Sequence, residues 1–283
     1  MKEFNPEELF KNIEDIEVLK KLPSEYLYEK TVLGIDIYKY SQYPTTEQVY
    51  IPVLFKALYD VTVNNVFKFE QFIFNSYKKE TEEFKKNFIS TGDGGFQIFD
   101  NPIQAIIFSL YFQMNVKRYC SGASKNAHFK KLYKIIDSID LRYAVTIDIV
   151  YSYQANFFGP AIINNARILS KDSLNRLLVD SNTIKWFNMN INSIENLMDL
   201  DINSLLSTTY FRDYNPKLKS ILFNDKSHFK SVDVQKIGRI EAKFSSLDIF
   251  NLHIQTLIKL QIEKHDYNTY IVTLGNLNTR GIE

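Results

Sequence analysis

The sequence predicts an α+β domain: a ferredoxin-like βαββαβ core with additional C-terminal strands. Three observations predict it. A β-branched run, "TVLGIDIYKY" (31–40), is followed by a long stretch with apolar residues at helical spacing. Two β-prone arms then flank Gly92-Asp93-Gly94-Gly95 in "FISTGDGGFQIF" (88–99), the pattern of a tight hairpin tip. A second helical stretch and another β run, "DLRYAVTIDIVYSY" (140–153), complete the unit. In this order the first strand lies beside the central hairpin, which brings Asp36 close to Asp93.

Each element has its own signal. Residues 1–28 read as a helical lead broken at Pro23. Over 46–75 the positions Val49, Val53, Leu54, Ala57, Leu58 and Val61 recur at helical spacing. The charge run "SYKKETEEFKK" (76–86) reads as a solvated helix end or loop. A helix starts after Asp100, with Asn101 as cap and Pro102 in the first turn, and runs to about 119. "SGASKNAHF" (121–129) reads as a loop, and 156–180 as a turn followed by a helix. Residues 181–230 are rich in Asn and Ser and give no clear periodicity. "RIEAKFSSLDIFNLHIQ" (239–255) reads as a strand pair around Ser245-Ser246, and "YNTYIVTL" (267–274) as a last strand. The expected organisation is a lead over 1–28 and one domain over 29–283, with an insertion at about 185–230.

Composition narrows the function. The 283 residues are 45% hydrophobic and 24% charged, with a formal net charge of +1, so no strong field points to nucleic acid or an anionic membrane. A single cysteine allows no intramolecular disulfide. The charged start has no signal-peptide core and no apolar run has the length of a membrane span, so a soluble cytoplasmic protein is expected. The four histidines show no zinc-ligand spacing, and no phosphate-loop, nucleophile-elbow or dinucleotide motif is present.

What remains is a pair of aspartates expected on adjacent strands. Mg²⁺ takes hard oxygen ligands and keeps sites for water and phosphate, so two carboxylates suit a metal held against a nucleotide. The blocks around them resemble the catalytic domain of the class III nucleotide cyclases. These are "GIDIYKYS" (34–41), "STGDGGFQIFDNPIQAIIFSL" (90–110), "DLRYAVTIDI" (140–149), "FFGPAIINNARIL" (157–169) and "GRIEAKFSSLDIFNL" (238–252), in family order. The resemblance spans roughly residues 30–255.

It implies that Asp36 and Asp93 hold two Mg²⁺ or Mn²⁺ ions, with the backbone carbonyl of Ile37 as a further ligand. It implies that Arg167 stabilises charge on the transferring phosphoryl group and that Lys243 binds the terminal phosphates. Asn164 is the candidate to orient the ribose, although strict spacing from Gly159 places Ile163 there. Glycines common in the third block are Ala144 and Asp148 here. The purine-reading positions fall on Ile89 and Asn156. An apolar wall with an amide suits a smaller base. That moves the resemblance towards the pyrimidine cyclases of bacterial Pycsar antiphage systems, which make cyclic UMP or cyclic CMP. The expected substrate is UTP in preference to CTP, and the expected product signals to a separate effector protein. Active sites of this family lie between subunits, so a homodimer is expected. A purine cyclase and a non-catalytic regulatory domain are the other readings.

Overall fold

The structure, a computed structural model, describes residues 1–13, 24–78, 80–124, 126–224, 227–242, 245–261 and 267–282. The expected break at Pro23 lies outside them. In chain order, α1 (Pro6–Asn12) precedes β1 (Tyr28–Ile37). Helices α2 (Thr45–Phe69) and α3 (Thr81–Lys86) lead to the hairpin β2 (Phe88–Ser90) and β3 (Gly94–Phe99). Helices α4 (Pro102–Cys120) and α5 (Ala127–Tyr133) lead to β4 (Leu141–Tyr153). Then come β5 (Asn156–Phe158), α6 (Pro160–Lys171), β6 (Leu177–Asp180), α7 (Ser181–Ile191) and α8 (Ile202–Leu206). Three long strands follow: β7 (His228–Ala242), β8 (Ser245–Gln261) and β9 (Tyr267–Leu274).

Among the described residues the strands form one sheet ordered β2-β3-β1-β4-β6-β8-β7, with β5 paired to β4 and β9 to β8. β1 is antiparallel to both β3 and β4, so the four core strands have the order that the βαββαβ prediction requires. The fold class is therefore the predicted α+β class, with β6 to β9 extending the sheet.

The period-two alternation of β1 divides the molecule. Leu33, Ile35 and Ile37 enter the main core, which α2 and α4 cover. Val32, Gly34 and Asp36 alternate to the opposite side, where α6 packs. Asn101 caps α4 by accepting the Gln104 N–H at 3.1 Å, and Pro102 occupies the first turn. Helix α2 tolerates Pro52 in its interior. Proline has no N–H for the Gln48 carbonyl, and the Tyr40 hydroxyl donates to that carbonyl at 3.2 Å instead.

Several local expectations differ from the structure. Val49 and Val53 fit helical spacing but are 64% and 44% exposed, because they lie off the face by which Ile51, Leu54, Phe55 and Leu58 enter the core. Phe84, inside the charge run, is fully buried while Glu82, Glu83, Lys85 and Lys86 face outward or form ion pairs. Residues 127–129 open α5, capped by Asn126, which accepts the His128 N–H at 2.8 Å. The end of the expected 156–180 helix is instead β6, fully buried and parallel to β4. A run as short as "LLVD" has no periodicity that separates a buried strand from a buried helix.

Residues 181–223 pack into the main core through Trp186, Phe187, Leu205, Phe211 and Leu222. One buried carboxylate ties this segment to the helices. Glu70, just after α2, accepts the Tyr111 hydroxyl at 2.7 Å, the Ser220 hydroxyl at 2.5 Å, and the Ile221 and Leu222 N–H groups at 3.1 Å each. Burial nevertheless pushes its carboxyl up to about 7, against the pull of these four donors.

The folded state therefore holds the Glu70 proton where the unfolded chain has lost it. Its contribution is complete below the unfolded value near 4.5 and is lost as pH rises through about 7. Urea unfolding at pH 5 and pH 8 should show wild type losing stability, on the order of 3 kcal/mol, relative to Glu70→Gln across that interval. Parallel pH curves for the two proteins would contradict the assignment.

Candidate functional site

The site begins where β1 ends. Asp36 stands opposite Gly94 in the β1–β3 register, and the Ile37 N–H donates to the Asp93 carbonyl at 3.2 Å. A Cβ on Gly94 would lie 2.2 Å from the Ile35 carbonyl oxygen, so only glycine lets the hairpin approach β1 this closely. The two aspartates thus flank one point, at the junction of a central strand and a hairpin tip. Ile37 is buried by its side chain, with its backbone at the strand end.

Directly across β4, Arg142 is in register with Asp36. Its Nε donates to Asp36 Oδ2 at 2.5 Å, and its Nη1 donates to the Asp172 carbonyl at 2.6 Å. The two side chains are 23% and 18% exposed, so this pair is more than a screened surface contact. Burial raises the Asp36 carboxyl above its ordinary value, the Arg142 charge and hydrogen bond oppose that rise, and the charge of Asp93 adds to it. Arg142 is the site residue that sequence reading passed over. It stands in plain view in "DLRYAV", but only the strand register reveals that it faces Asp36.

Asp36 and Asp93 offer hard carboxylate oxygens, and their mutual repulsion is relieved by a cation placed between them. Among the described residues no cluster of three or more His, Cys, Asp or Glu could hold a metal alone. Two carboxylates alone suit an ion that takes its remaining ligands from water or a bound oxyanion, as Mg²⁺ does.

Helix α6 is fastened to the other side of this region. Asn165 is fully buried, and its Nδ2 donates to the Val32 carbonyl at 2.8 Å, the Ala144 carbonyl at 2.9 Å and the Thr146 hydroxyl at 3.2 Å. Its Oδ1 lies 2.1 Å from where a Cβ on Gly34 would stand, so the glycine makes room for the clamp. Ala161, Asn165, Ile168 and Leu169 form the buried face of α6. Arg167 and Ile163 are exposed, and Asn164 is half-buried. Arg167 Nη1 donates to Asn164 Oδ1 at 3.3 Å, so these two share a patch that faces away from the sheet. The structure does not bring Arg167 to Asp36 and Asp93 within the chain.

Ile89, half-buried in β2, stands opposite Phe96. Phe96 and Phe157 both pack against the cluster of Val32, Ile98, Val150 and Ala161, which places β2 and the exposed Asn156 at the margins of one apolar patch. Lys243 lies outside the described residues.

No family model matches the sequence, and no curated protein matches it. Among solved structures, the chain is similar to a dimeric guanylyl cyclase domain of the RhoGC fusion protein from the aquatic fungus Blastocladiella emersonii. The identity is 11% and the TM-score 0.44, over 80% of this chain and 97% of that one. It is also similar to an adenylate/guanylate cyclase/hydrolase from Silicibacter pomeroyi, at 12% identity and TM-score 0.41, over 80% and 96%. A third is the guanylyl cyclase Cya2, at 10% identity and TM-score 0.41, over 80% and 92%.

The fit between Gly34 and Asn165 can be measured. Gly34→Ala should destabilise the fold by about 1–3 kcal/mol through overpacking, and Asn165→Ala by a similar amount through lost hydrogen bonds. The double variant should be more stable than the sum predicts by at least ~0.5 kcal/mol, because the methyl enters the space the amide leaves. Strict additivity in urea unfolding would show that the two positions do not meet.

Proposed function

We propose that this chain is a nucleotide cyclase of class III type. It converts a pyrimidine nucleoside triphosphate, UTP in preference to CTP, to the 3′,5′-cyclic monophosphate and pyrophosphate. The observation that carries the reading is the meeting of Asp36 and Asp93 at the junction of β1 and the β2–β3 hairpin. The ordered resemblance of the surrounding blocks supports it.

In the reaction the ribose 3′-oxygen attacks the α-phosphorus, the bond to the bridging oxygen of the β-phosphate breaks, and the hydroxyl proton leaves to solvent. Asp36, Asp93 and the Ile37 carbonyl would hold two Mg²⁺ or Mn²⁺ ions, which make the 3′-hydroxyl more acidic and offset phosphate charge. The chain's own cations act on the same charge. Arg167 stabilises the transferring phosphoryl group from helix α6. Asn164 orients the ribose and Lys243 takes the terminal phosphates. Ile89 and Asn156 border the base, an apolar wall and an amide where a pyrimidine fits.

The outward direction of Arg167 supports a second copy of the chain as the partner that completes the site. Its face of α6 points away from the aspartates of its own chain, so a symmetric homodimer completes each site from two subunits. The product serves as an antiphage second messenger, read by a separate effector.

The test is to incubate the protein with Mn²⁺ and each of ATP, GTP, CTP and UTP, and to identify products by chromatography and mass. A cyclic pyrimidine nucleotide is expected, with Asp93→Ala and Arg167→Ala each reducing turnover by about 10²-fold or more. A cyclic purine product would overturn the base assignment to Ile89 and Asn156. No cyclic product from any triphosphate would overturn the cyclase reading.

Sharing of sites makes a separate prediction. Mixing the inactive Asp93→Ala and Arg167→Ala chains should restore roughly a quarter of wild-type activity, since half the dimers carry one intact site of two. Absence of complementation, with subunit exchange confirmed, would place the site within one chain.

A further inference from the structure

Arg176 is the largest fully buried side chain among the described residues. Its guanidinium has two sets of partners. Nη2 and Nε donate to Asp172 Oδ1 at 2.7 and 3.1 Å, with both side chains at most 2% exposed. Nη1 donates to the Asn278 carbonyl at 3.1 Å and the Arg280 carbonyl at 2.6 Å. A buried guanidinium needs all of these acceptors, because an unpaired buried donor carries its full desolvation cost.

The tail that supplies two of them is itself seated by side chains. Asn251 Nδ2 donates to the Asn276 and Asn278 carbonyls at 2.8 and 3.2 Å. Asn276 Nδ2 donates to the Asn175 carbonyl at 2.8 Å, and Asn276 Oδ1 accepts the Asn278 N–H at 2.9 Å. Asn278 Oδ1 accepts the Arg280 N–H at 3.0 Å.

The loop between α6 and β6 therefore stands between the tail and the candidate site. On one side Arg176 holds the Asp172 carboxylate. On the other, the Asp172 carbonyl holds Arg142 Nη1, whose Nε is on Asp36. The next residue, Ser173, accepts the Tyr38 hydroxyl at 2.9 Å, two positions after Asp36. A continuous series of hydrogen bonds thus runs from residues 276–280 through Arg176, Asp172 and Arg142 to Asp36.

We infer that Arg176 is a positioning residue for the site, and that the tail over 276–280 is the strap that keeps it in place. With the tail seated, Arg142 is anchored at both ends and occupies Asp36 Oδ2. With the tail detached, Arg176 loses two acceptors, the 172–176 loop loosens, and Arg142 is free to leave Asp36. Metal affinity at Asp36 then depends on whether the tail is seated, because a fixed guanidinium and a divalent ion compete for one oxygen. Only the consequence for metal and turnover rests on the proposed function; the coupling of tail to Arg142 stands on the hydrogen bonds.

The experiment reads Arg142 directly. In ¹⁵N-labelled protein, the Arg142 Nε–H resonance is assigned by its loss in Arg142→Lys, and its exchange with solvent is measured. In a chain ended after Gly275, and in the gentler Asn276→Ala/Asn278→Ala double variant, exchange of this proton should be about tenfold faster or more, reflecting a lost anchor. Arg176→Lys, which keeps the charge but not the planar fork, should behave likewise. Mn²⁺ titration followed by electron paramagnetic resonance should show about three- to tenfold tighter binding in the same variants. A tail that serves stability alone would lower the melting temperature and leave both readouts at wild-type values. Arg142 exchange within about twofold of wild type, with tail amides shown to be unprotected, would overturn the inference. If Arg142 responds but no triphosphate is cyclised, the coupling stands and the cyclase reading fails.

Discussion

The close approach of β1 to the hairpin on one side and to β4 on the other is the constraint on which the site depends. Antiparallel pairing fixes residue against residue, and a slip of one position would turn Asp36 into the core and Ile35 or Ile37 out of it. The register therefore does two things at once. It buries Leu33, Ile35 and Ile37 under α2 and α4, and it sets Asp36 between Gly94 and Arg142. The free energy that holds the carboxylate in place comes from the apolar residues that alternate with it.

The second side of β1 works by a different means. There the helix is held close by a buried amide that bonds two carbonyls and a hydroxyl, with a glycine opposite to admit it. A clamp of this kind fixes rotation as well as distance, because each bond has a direction. That is why Arg167 and Asn164 are turned outward together. Asp36 and Asp93 at the strand–hairpin junction and Arg167 on the exposed face of α6 therefore lie on different surfaces of one chain.

Polar groups inside the molecule serve the same purpose at larger scale. Glu70 joins α2 and α4 to residues 220–222. Asp180 caps α7 through Thr183, accepting its N–H at 2.8 Å, and also accepts the Ile147 N–H at 3.3 Å; burial pushes its carboxyl up to about 6. Each buried carboxylate is costly unless its acceptors are met, so each one specifies which segment must lie beside it. Arg176 and Asp172 do this for the C-terminal tail, and through the Asp172 carbonyl the requirement reaches Arg142.

The sequence by itself determined the class of fold and the nearness of Asp36 to Asp93. β-branched runs, the Gly-Asp-Gly tip and the Asn101-Pro102 helix start are local signals, and each depends on neighbours within a few residues. The same locality explains what stayed hidden. β6 is too short to show a period, and Val49 and Val53 obey helical spacing although both are exposed. Which of three adjacent residues, Ile163, Asn164 or Asn165, faces the sheet is decided by the rotation of α6 against β1 and β4, and the buried one proved to be Asn165. Arg142 beside Asp36, and Arg176 beneath the tail, are contacts between residues about a hundred positions apart. Only the tertiary structure decides them, because they follow from strand register and chain crossing, which no local pattern encodes.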